Sequence, residues 1–241
     1  MTERRTALIT GGARRVGRAI AMQLADAGFD VAFTFNTSRD DAQSLAADII
    51  RKGRRTLAME VDLSQPEKAV ANVQGMYVWD RVDVLVNNAS LYQAGTLHDT
   101  SAEQLARLMS IHVTAPLLLC RVFESHLRAS RGHVVNMVDL LAEKPWPAYI
   151  GYCASKAALL NLTLSLAREL APEVTVNGIA PGVVDWPDGY PEVEREKYLK
   201  RVPLARAGTP EDVARTVEFL VTGGSYITGQ IIRLDGGRSI T

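Results

Sequence analysis

The 241-residue sequence contains few of the residues that mark disulfide-rich, metal-binding or membrane-spanning proteins. Its two cysteines, Cys120 and Cys153, form neither a disulfide framework nor a metal-ligand spacing, and we expect both to pack as small apolar residues. No apolar run approaches the roughly 20 residues that span a bilayer. Because 27 basic residues balance 27 acidic ones, no overall field favours nucleic acid or an anionic membrane as a partner.

The N-terminal residues lack the features of a secretory signal. Residues 1–12, MTERRTALITGG, pass from charged residues into a short apolar run, without a longer apolar segment or a small-residue cleavage site. Together with the sparse cysteines, this pattern predicts a cytoplasmic protein in a reducing compartment. We expect its partners to be small molecules or further copies of the same chain.

Short β-rich runs alternate with longer stretches of helical period along the whole chain. The predicted strands are residues 6–10, 30–35, 55–61, 82–86, 133–138, 173–179 and 231–234. Nearly continuous apolar strands separated by amphipathic helices indicate a parallel sheet that is covered on both faces. The sequence therefore predicts an α/β fold: one Rossmann-type, doubly wound domain over residues 1–241, with about seven strands.

One long irregular segment, residues 181–208, interrupts this alternation. It contains four prolines and many charges, which predicts a surface excursion that carries a short helix. Such loops in α/β enzymes often close over a substrate, so residues around 183–208 form a candidate substrate lid. The alternative is a loop without a function.

A glycine-rich stretch, TGGARRVGRAI at residues 10–20, follows the first predicted strand. Gly11 and Gly12 allow a tight turn, and Gly17 allows close packing of the next helix, whose N-terminal amides would face a pyrophosphate. Arg15 stands where the spacing T-G-x-x-x-G-x-G would place another glycine. In a doubly wound sheet the ligand lies beyond the carboxyl ends of the strands. Polar motifs follow later strands at 61–62, 87–90, 138–139, 152–156 and 177–182.

Tyr152 and Lys156 are spaced four residues apart on a predicted helix, so both side chains lie on one face. A free phenol has a pKa of about 10, and a neighbouring ammonium group favours the phenolate and lowers that pKa. Tyr152 could then act as a general acid near neutral pH.

With these motifs the sequence resembles the short-chain dehydrogenase/reductase family along essentially its whole length. The matching elements are the glycine turn, Asp62, NNAS at 87–90, Tyr152 with Lys156, and PG at 181–182. The resemblance implies that Asp62 holds the adenine edge and that Asn88 lies near the ribose. It also implies that Lys156 binds the nicotinamide ribose and lowers the pKa of Tyr152, and that the protein is a homotetramer.

Two positions depart from the usual family pattern. Asp139 stands where a serine is usual, thirteen residues before the tyrosine, and His112 replaces a helix asparagine. With Arg15, Ser90 and Tyr92, Asp139 makes the sequence similar to the pteridine reductases, a branch that includes bacterial dihydromonapterin reductases. That resemblance implies a pterin substrate. The substrate-binding residues would be Arg15, Ser90, Tyr92, Asp139 and Tyr152.

The chemistry of these residues agrees with such a substrate. An ionised Asp139 would repel the alkoxide that forms from a ketone, whereas an Asp–Tyr pair could relay a proton to a ring nitrogen. Asp139 could alternatively cap the loop after its strand. The Arg15 guanidinium could bridge pyrophosphate and substrate. Tyr92 could lie on a flat heterocycle or merely close a loop.

The residues after the second strand predict the cofactor. Asn36, Thr37 and Ser38 are uncharged, and Arg14 and Arg39 lie near enough in sequence to bind a 2′-phosphate, which favours NADPH. The predicted catalytic residues are Asp139, Tyr152 and Lys156, and no metal ligands are predicted. The predicted cofactor-binding residues are Gly11, Arg14, Arg15, Val16, Asn36, Thr37, Ser38, Asp62, Leu63, Asn88, Ala89, Ser90, Lys156, Pro181, Gly182 and Val184.

The predicted function is therefore NADPH-dependent reduction of a pterin. The substrate would be dihydrofolate or a dihydropterin such as dihydromonapterin or dihydrobiopterin. A reductase of ketones or of 3-oxoacyl groups on a carrier is an alternative on the same fold. A nicotinamide sensor without turnover is another, although binding alone does not require an activated Tyr152 next to Lys156.

Overall fold

Seven parallel strands form a single sheet in the computed structural model, which describes residues 4–186 and 189–241. The strands are β1 (Thr6–Ile9), β2 (Asp30–Phe35), β3 (Thr56–Glu60), β4 (Val84–Asn87), β5 (His133–Met137), β6 (Thr175–Pro181) and β7 (Ile231–Leu234). Their order across the sheet is β3-β2-β1-β4-β5-β6-β7. The order reverses direction between β1 and β4. The predicted doubly wound fold is thus confirmed, with strand ends that differ from the predicted ones by two residues at most.

Helices cover both faces of the sheet. The helices are α1 (Arg15–Asp26), α2 (Arg39–Arg51), α3 (Pro66–Met76), α4 (Ala102–Met109), α5 (Ala115–Ser130), α6 (Ile150–Glu169), α7 (Glu192–Leu199) and α8 (Pro210–Thr222). Helices α1, α2 and α8 pack on one face, and α3, α5 and α6 pack on the other. A π-helical turn, Ser110–Thr114, joins α4 to α5.

The apolar runs of the strands are continuous because both faces of the sheet are buried. In β1, Ala7 and Ile9 pack with α1 and α2, whereas Leu8 points to the opposite layer. The same alternation recurs in β2, where Phe33 joins the first layer and Ala32 the second. Successive side chains of a strand point to opposite faces, so each strand contributes residues to the buried layers on both sides of the sheet.

Two helical stretches, Ala102–Ser130 and Ile150–Glu169, are long and apolar enough to cross a membrane by length and composition alone. No single apolar run in the sequence had predicted them. In this fold α5, the second part of the first stretch, and α6 lie against the sheet, whereas α4 packs on α6; 33% and 50% of the most apolar windows of the two stretches are buried. Their apolar character is that of helices packed on a core sheet.

The segment after β6 contains the expected short helix, α7. Trp186 contacts the rings of Tyr190 and Tyr198, with centroid separations of 5.0 and 5.5 Å, and the Tyr198 hydroxyl accepts a hydrogen bond from the Val183 amide. These contacts fold the segment back on itself. Residues 187–188 of the predicted lid lie outside the described residues, as do residues 1–3.

Candidate active site

A cavity of about 740 Å³ opens at the carboxyl ends of the strands, where the strand order reverses. The predicted site residues that line it are Gly11, Arg14, Arg15, Val16, Asn36, Asp62, Leu63, Asn88, Ala89, Ser90, Tyr92, Asp139, Tyr152, Lys156, Pro181, Gly182 and Val184. Thr37 and Ser38 do not line the cavity, because the chain turns away at these residues to begin α2 at Arg39.

The glycine turn depends on a close approach between backbone segments. Gly11 has a φ of +64°, and a Cβ on Gly17 would lie 2.1 Å from the Gly11 carbonyl oxygen. The Asn88 side-chain amide donates to the carbonyl oxygens of Thr10 and Gly11, at 2.9 and 3.0 Å. Asn88, which the resemblance places near a ribose, therefore also holds the turn in shape.

Arg15 has a φ of +50°, so its backbone adopts the left-handed conformation that favours glycine. Its side chain does not lie free over the cavity. The guanidinium forms an ion pair with the Asp185 carboxylate and a longer hydrogen bond to the Asp185 carbonyl oxygen. This pair joins the glycine turn to the segment after β6, a contact that the sequence did not predict.

Charged groups lie around the β2 and β3 ends of the cavity. Asp62 accepts a hydrogen bond from the Ser64 amide at 2.9 Å, and this bond lowers the pKa of its carboxyl group. Arg14 lies 3.5 Å from Asp41, and Arg39 pairs with Glu60. Both arginines are more than half exposed, so their ion pairs are weak and can exchange for another anion.

Asp139 uses both of its carboxylate oxygens. Oδ1 accepts from the Leu141 amide at 2.8 Å and caps the short helical turn at Leu140–Ala142, while Oδ2 accepts from the Tyr152 hydroxyl at 2.7 Å. Asp139 therefore caps the loop and also contacts the tyrosine, as the predicted Asp–Tyr pair requires; its role in proton transfer stays a prediction. Burial raises the pKa of the Asp139 carboxyl above its usual value.

Lys156 is buried beneath Tyr152. Its ammonium group donates to the Met137 carbonyl oxygen at 2.8 Å and lies 5.7 Å from the centre of the Tyr152 ring. Burial lowers the pKa of Lys156 to about 8. The expectation that this cation lowers the pKa of Tyr152 is wrong for the structure as it stands. Burial and the neighbouring Asp139 charge raise that pKa well above its ordinary value.

His112 lies in the π-helical turn, 1% exposed, and contacts three groups around the site. Nδ1 lies 2.8 Å from the Ser155 hydroxyl, and Nε2 lies 3.0 Å from the Ser90 hydroxyl and 3.1 Å from the Leu91 amide. Burial and the Lys156 charge lower the pKa of the imidazole to about 2, so the ring is neutral. The sequence marked His112 only as a departure from the family pattern and did not reveal these contacts.

Aromatic rings form the walls at the substrate end of the cavity. The Tyr92 ring stacks on Tyr149 at 4.7 Å and meets the edge of Tyr152 at 4.9 Å. Seven of the ten tryptophan and tyrosine residues in the sequence line the cavity: Tyr92, Trp146, Tyr149, Tyr152, Trp186, Tyr190 and Tyr198. Only Tyr92 and Tyr152 were predicted. The others could have been found from the concentration of aromatic residues at 146–152 and 186–198.

A protein-family model described as "Enoyl-(Acyl carrier protein) reductase" matches residues 11–239. The chain belongs to the short-chain dehydrogenase/reductase family, whose enzymes are oxidoreductases that use a nicotinamide cofactor. The chain is 32% identical to "3-oxoacyl-[acyl-carrier-protein] reductase FabG" of Staphylococcus aureus, with 97% of each chain covered. It is 33% identical to the protein of that name from Aquifex aeolicus, over 97% of this chain and 96% of the other.

Solved structures give the same family. Acetoin dehydrogenase from Enterobacter cloacae superimposes with a TM-score of 0.91 at 28% identity, covering 100% of this chain and 97% of the other. A blue fluorescent protein from a metagenomic library, in complex with NADPH, has a TM-score of 0.89 at 35% identity, with 97% of each chain covered. None of these relatives is named a pteridine reductase. Their names favour the 3-oxoacyl alternative over the pterin branch.

The residues of the cavity fit a nicotinamide dinucleotide. Gly17 has no side chain at the point where the start of α1 approaches the Gly11 carbonyl oxygen most closely. The first turn of α1 lines the cavity at Val16 and Gly17, where helix amides can bind a pyrophosphate. Lys156 and Asn88 line the cavity beyond this turn. When bound, the cofactor supplies a hydride. The chain itself would bind and orient it and would deliver the proton, for which Tyr152 and Asp139 are the paired groups.

Proposed function

We propose that this protein is an NADPH-dependent reductase of a carbon–nitrogen double bond in a pterin, such as dihydromonapterin or dihydrobiopterin. One observation carries the proposal: the Tyr152 hydroxyl donates to a buried carboxylate, Asp139, at the position where the family resemblance implies a serine. Hydride adds to the ring carbon and the proton goes to the ring nitrogen. Atoms and charge then balance without a further reactant.

The Asp139 carboxylate fits this reaction better than it fits ketone reduction. Reduction of a ketone develops negative charge on oxygen, and an ionised carboxylate beside that oxygen opposes it. A ring nitrogen needs a proton instead, and the ionised Asp139 can take up and pass on a proton through its hydrogen bond with Tyr152, a transfer that its raised pKa favours. Asp139 in its ionised form can also accept hydrogen bonds from ring N–H and amino groups.

The aromatic walls also support a flat heterocyclic substrate. Tyr92 stacks on Tyr149, Trp186 packs against Tyr190, and all four rings line the cavity. Stacking between flat rings stabilises a pair by about 0.5–1.5 kcal/mol beyond the burial of their area. Tyr92 is about half exposed, so part of its ring remains available to a ligand.

The names of the relatives favour a second candidate, reduction of a 3-oxoacyl group on a carrier. Tyr152 and Lys156 can serve either reaction, so this pair does not distinguish the two candidates. The two candidates differ in what Asp139 must do. Substitution at that residue therefore separates them.

NADPH as the cofactor is part of the proposal. Asn36, the cavity residue directly after β2, is uncharged, and Arg14 lies at the same end of the cavity. The homologous fluorescent protein in complex with NADPH supports this choice. We further propose a cytoplasmic homotetramer that acts on a small molecule and binds neither nucleic acid nor membrane. The exposed Leu117 on α5 and Leu164 on α6 are available for contacts between subunits.

The first test measures NADPH oxidation with four substrates: dihydromonapterin, dihydrobiopterin, dihydrofolate and a 3-oxoacyl thioester. We expect the highest kcat/KM with a dihydropterin. A 3-oxoacyl thioester that is reduced faster than every pterin would establish the second candidate.

The second test substitutes Asp139. Asp139→Ser should lower pterin reduction about a hundredfold, the usual scale of general acid catalysis, and should raise reduction of the thioester. Asp139→Asn is the matched control, because it keeps the shape of the side chain but removes the proton-carrying carboxyl group. It should lower pterin reduction as much as the serine does. Unchanged pterin turnover in Asp139→Ser would remove the proposed role of the carboxyl group.

A further inference from the structure

The hydrogen bonds of His112 determine which ring nitrogen carries its proton. The Ser155 hydroxyl donates to the Tyr152 carbonyl oxygen at 2.7 Å, so its oxygen must accept from the Nδ1–H of His112. On the other side of the ring, the Leu91 amide is a donor only, and its contact requires an unprotonated Nε2. Two independent partners therefore assign the proton to Nδ1.

This tautomer fixes the direction of the Ser90 hydroxyl. Because Nε2 has no proton, the serine hydroxyl is the donor in the 3.0 Å contact between Ser90 Oγ and Nε2, and it shares the single lone pair of that nitrogen with the Leu91 amide. The single proton of Ser90 is then directed toward His112 and away from the cavity. Ser90 lines the cavity, so only the lone pairs of its oxygen remain for a ligand.

We propose that His112 makes Ser90 a hydrogen-bond acceptor, and that this pair selects substrates that present an N–H group beside Ser90. His112 is here a positioning residue, since it acts through Ser90. The inference rests on the proposed function only for the identity of the ligand. The direction of the Ser90 hydroxyl does not depend on it.

The Tyr152 oxygen is a second acceptor near the same proton, and the Ser90 hydroxyl lowers the pKa of Tyr152 against the larger effects of burial and Asp139. Ser90 has a single proton, and its 3.0 Å hydrogen bond to Nε2 uses that proton, while Tyr152 itself donates to Asp139. The substrate end of the cavity thus offers an acceptor at Ser90, separate from the Asp139–Tyr152 pair that would handle the proton. A pterin can present a ring N–H or an amino group to this acceptor, on the edge away from the carbon–nitrogen bond that is reduced.

The first experiment reads the tautomer directly by 15N NMR of the protein in complex with NADP+. We expect His112 to show a protonated Nδ1 and an unprotonated Nε2 from pH 5 to pH 9. A protonated Nε2 would overturn the inference, whatever the substrate proves to be. Ser90→Ala should leave the His112 signals in the same tautomer, because the Leu91 amide still donates to Nε2.

The second experiment compares binding of pterin, 3-methylpterin and 2-dimethylaminopterin to the NADP+ complex. 3-Methylpterin lacks the ring N–H, and 2-dimethylaminopterin lacks both N–H bonds of the amino group. In the unsubstituted protein, one of the two should bind about five- to tenfold more weakly than pterin, the scale of one hydrogen bond. Ser90→Ala should abolish that difference, and Ser90→Thr, which keeps the hydroxyl, should retain it. A difference that is unchanged in Ser90→Ala would contradict the selection of N–H groups by Ser90.

A third measurement separates failure of this inference from failure of the proposed function. If no pterin binds, the proposed function fails, and the 3-oxoacyl thioester becomes the probe. An acceptor at Ser90 cannot stabilise a developing alkoxide, so Ser90→Thr, which keeps the hydroxyl, should reduce the thioester no faster than Ser90→Ala does. A tenfold or larger advantage of Ser90→Thr over Ser90→Ala would mean that the hydroxyl donates to the substrate, and would overturn the inference.

Discussion

Backbone shapes the nucleotide end of the cavity, whereas side chains from separate segments of the chain shape the substrate end. At the nucleotide end, Gly11 and Gly17 permit a turn in which two backbone segments touch. At the substrate end, Asp139, Tyr152 and Tyr92 come from three separate segments and meet through ring contacts and one hydrogen bond. A local sequence pattern therefore defines the first end, and only the tertiary structure defines the second.

The largest effect is expected from Tyr152→Phe, which should change turnover without changing cofactor binding. Tyr152→Phe removes one hydroxyl at the substrate end, so turnover should fall by about a hundredfold to ten-thousandfold, while the affinity for NADPH stays within about twofold. Turnover from stopped-flow kinetics and NADPH affinity from fluorescence titration test both parts. Near-native turnover would mean that the proton comes from water, and turnover that is negligible in both proteins would support a nicotinamide sensor.

The nucleotide end should distinguish the two nicotinamide cofactors. NADPH should bind about 2 kcal/mol more tightly than NADH, roughly thirtyfold, because charge-assisted hydrogen bonds to a phosphate contribute about 1.5–3 kcal/mol each before desolvation. The arginines that would bind the phosphate, Arg14 and Arg39, now pair with Asp41 and Glu60. Arg14→Ala and Arg39→Ala should each reduce the preference without affecting NADH. Equal affinities for both cofactors in the unsubstituted protein would contradict the assignment.

Lys156 links the two ends and should give the activity an alkaline limit. With a pKa lowered to about 8 by burial, the group is charged below that pH and loses its charge as the pH rises through it. We expect kcat/KM to fall about tenfold per pH unit above this value, since kcat/KM reports the free enzyme. Lys156→Arg keeps the charge and should move the fall beyond pH 10. If kcat/KM of Lys156→Arg still falls above the same pH, a group other than Lys156 causes the fall.

The sequence predicted the sheet, the glycine turn and the Tyr152–Lys156 pair, because each depends on spacing along one element. It did not predict that Arg15 pairs with Asp185 across the cavity or that five further aromatic residues form its walls. Those contacts join segments that lie far apart in sequence. The expected pKa shift of Tyr152 was also wrong, because spacing revealed the nearby lysine but not the burial.

Arg15 lies between the two ends, and its substitution should have the smallest effect. The φ of +50° suits glycine, so Arg15→Gly should relieve about 1 kcal/mol of backbone strain. The ion pair with Asp185 has half-exposed partners and stabilises the fold by no more than about 1 kcal/mol. The two effects roughly cancel, so the melting temperature should change little. Any change in ligand binding then reports lost contacts and not a damaged fold.

Binding measurements on two variants decide what Arg15 does for the ligands. If its guanidinium contacts both pyrophosphate and substrate, Arg15→Gly should raise the apparent constants for both by several-fold, more for the pterin, since backbone amides still hold the phosphates. Asp185→Asn breaks the same ion pair but leaves the guanidinium free, so it should keep or lower these constants. Combined with Asp139→Ser, the losses from Arg15→Gly should be less than additive, because both residues would act on one substrate. Equal effects of Arg15→Gly and Asp185→Asn would instead show that Arg15 serves only to hold the segment after β6.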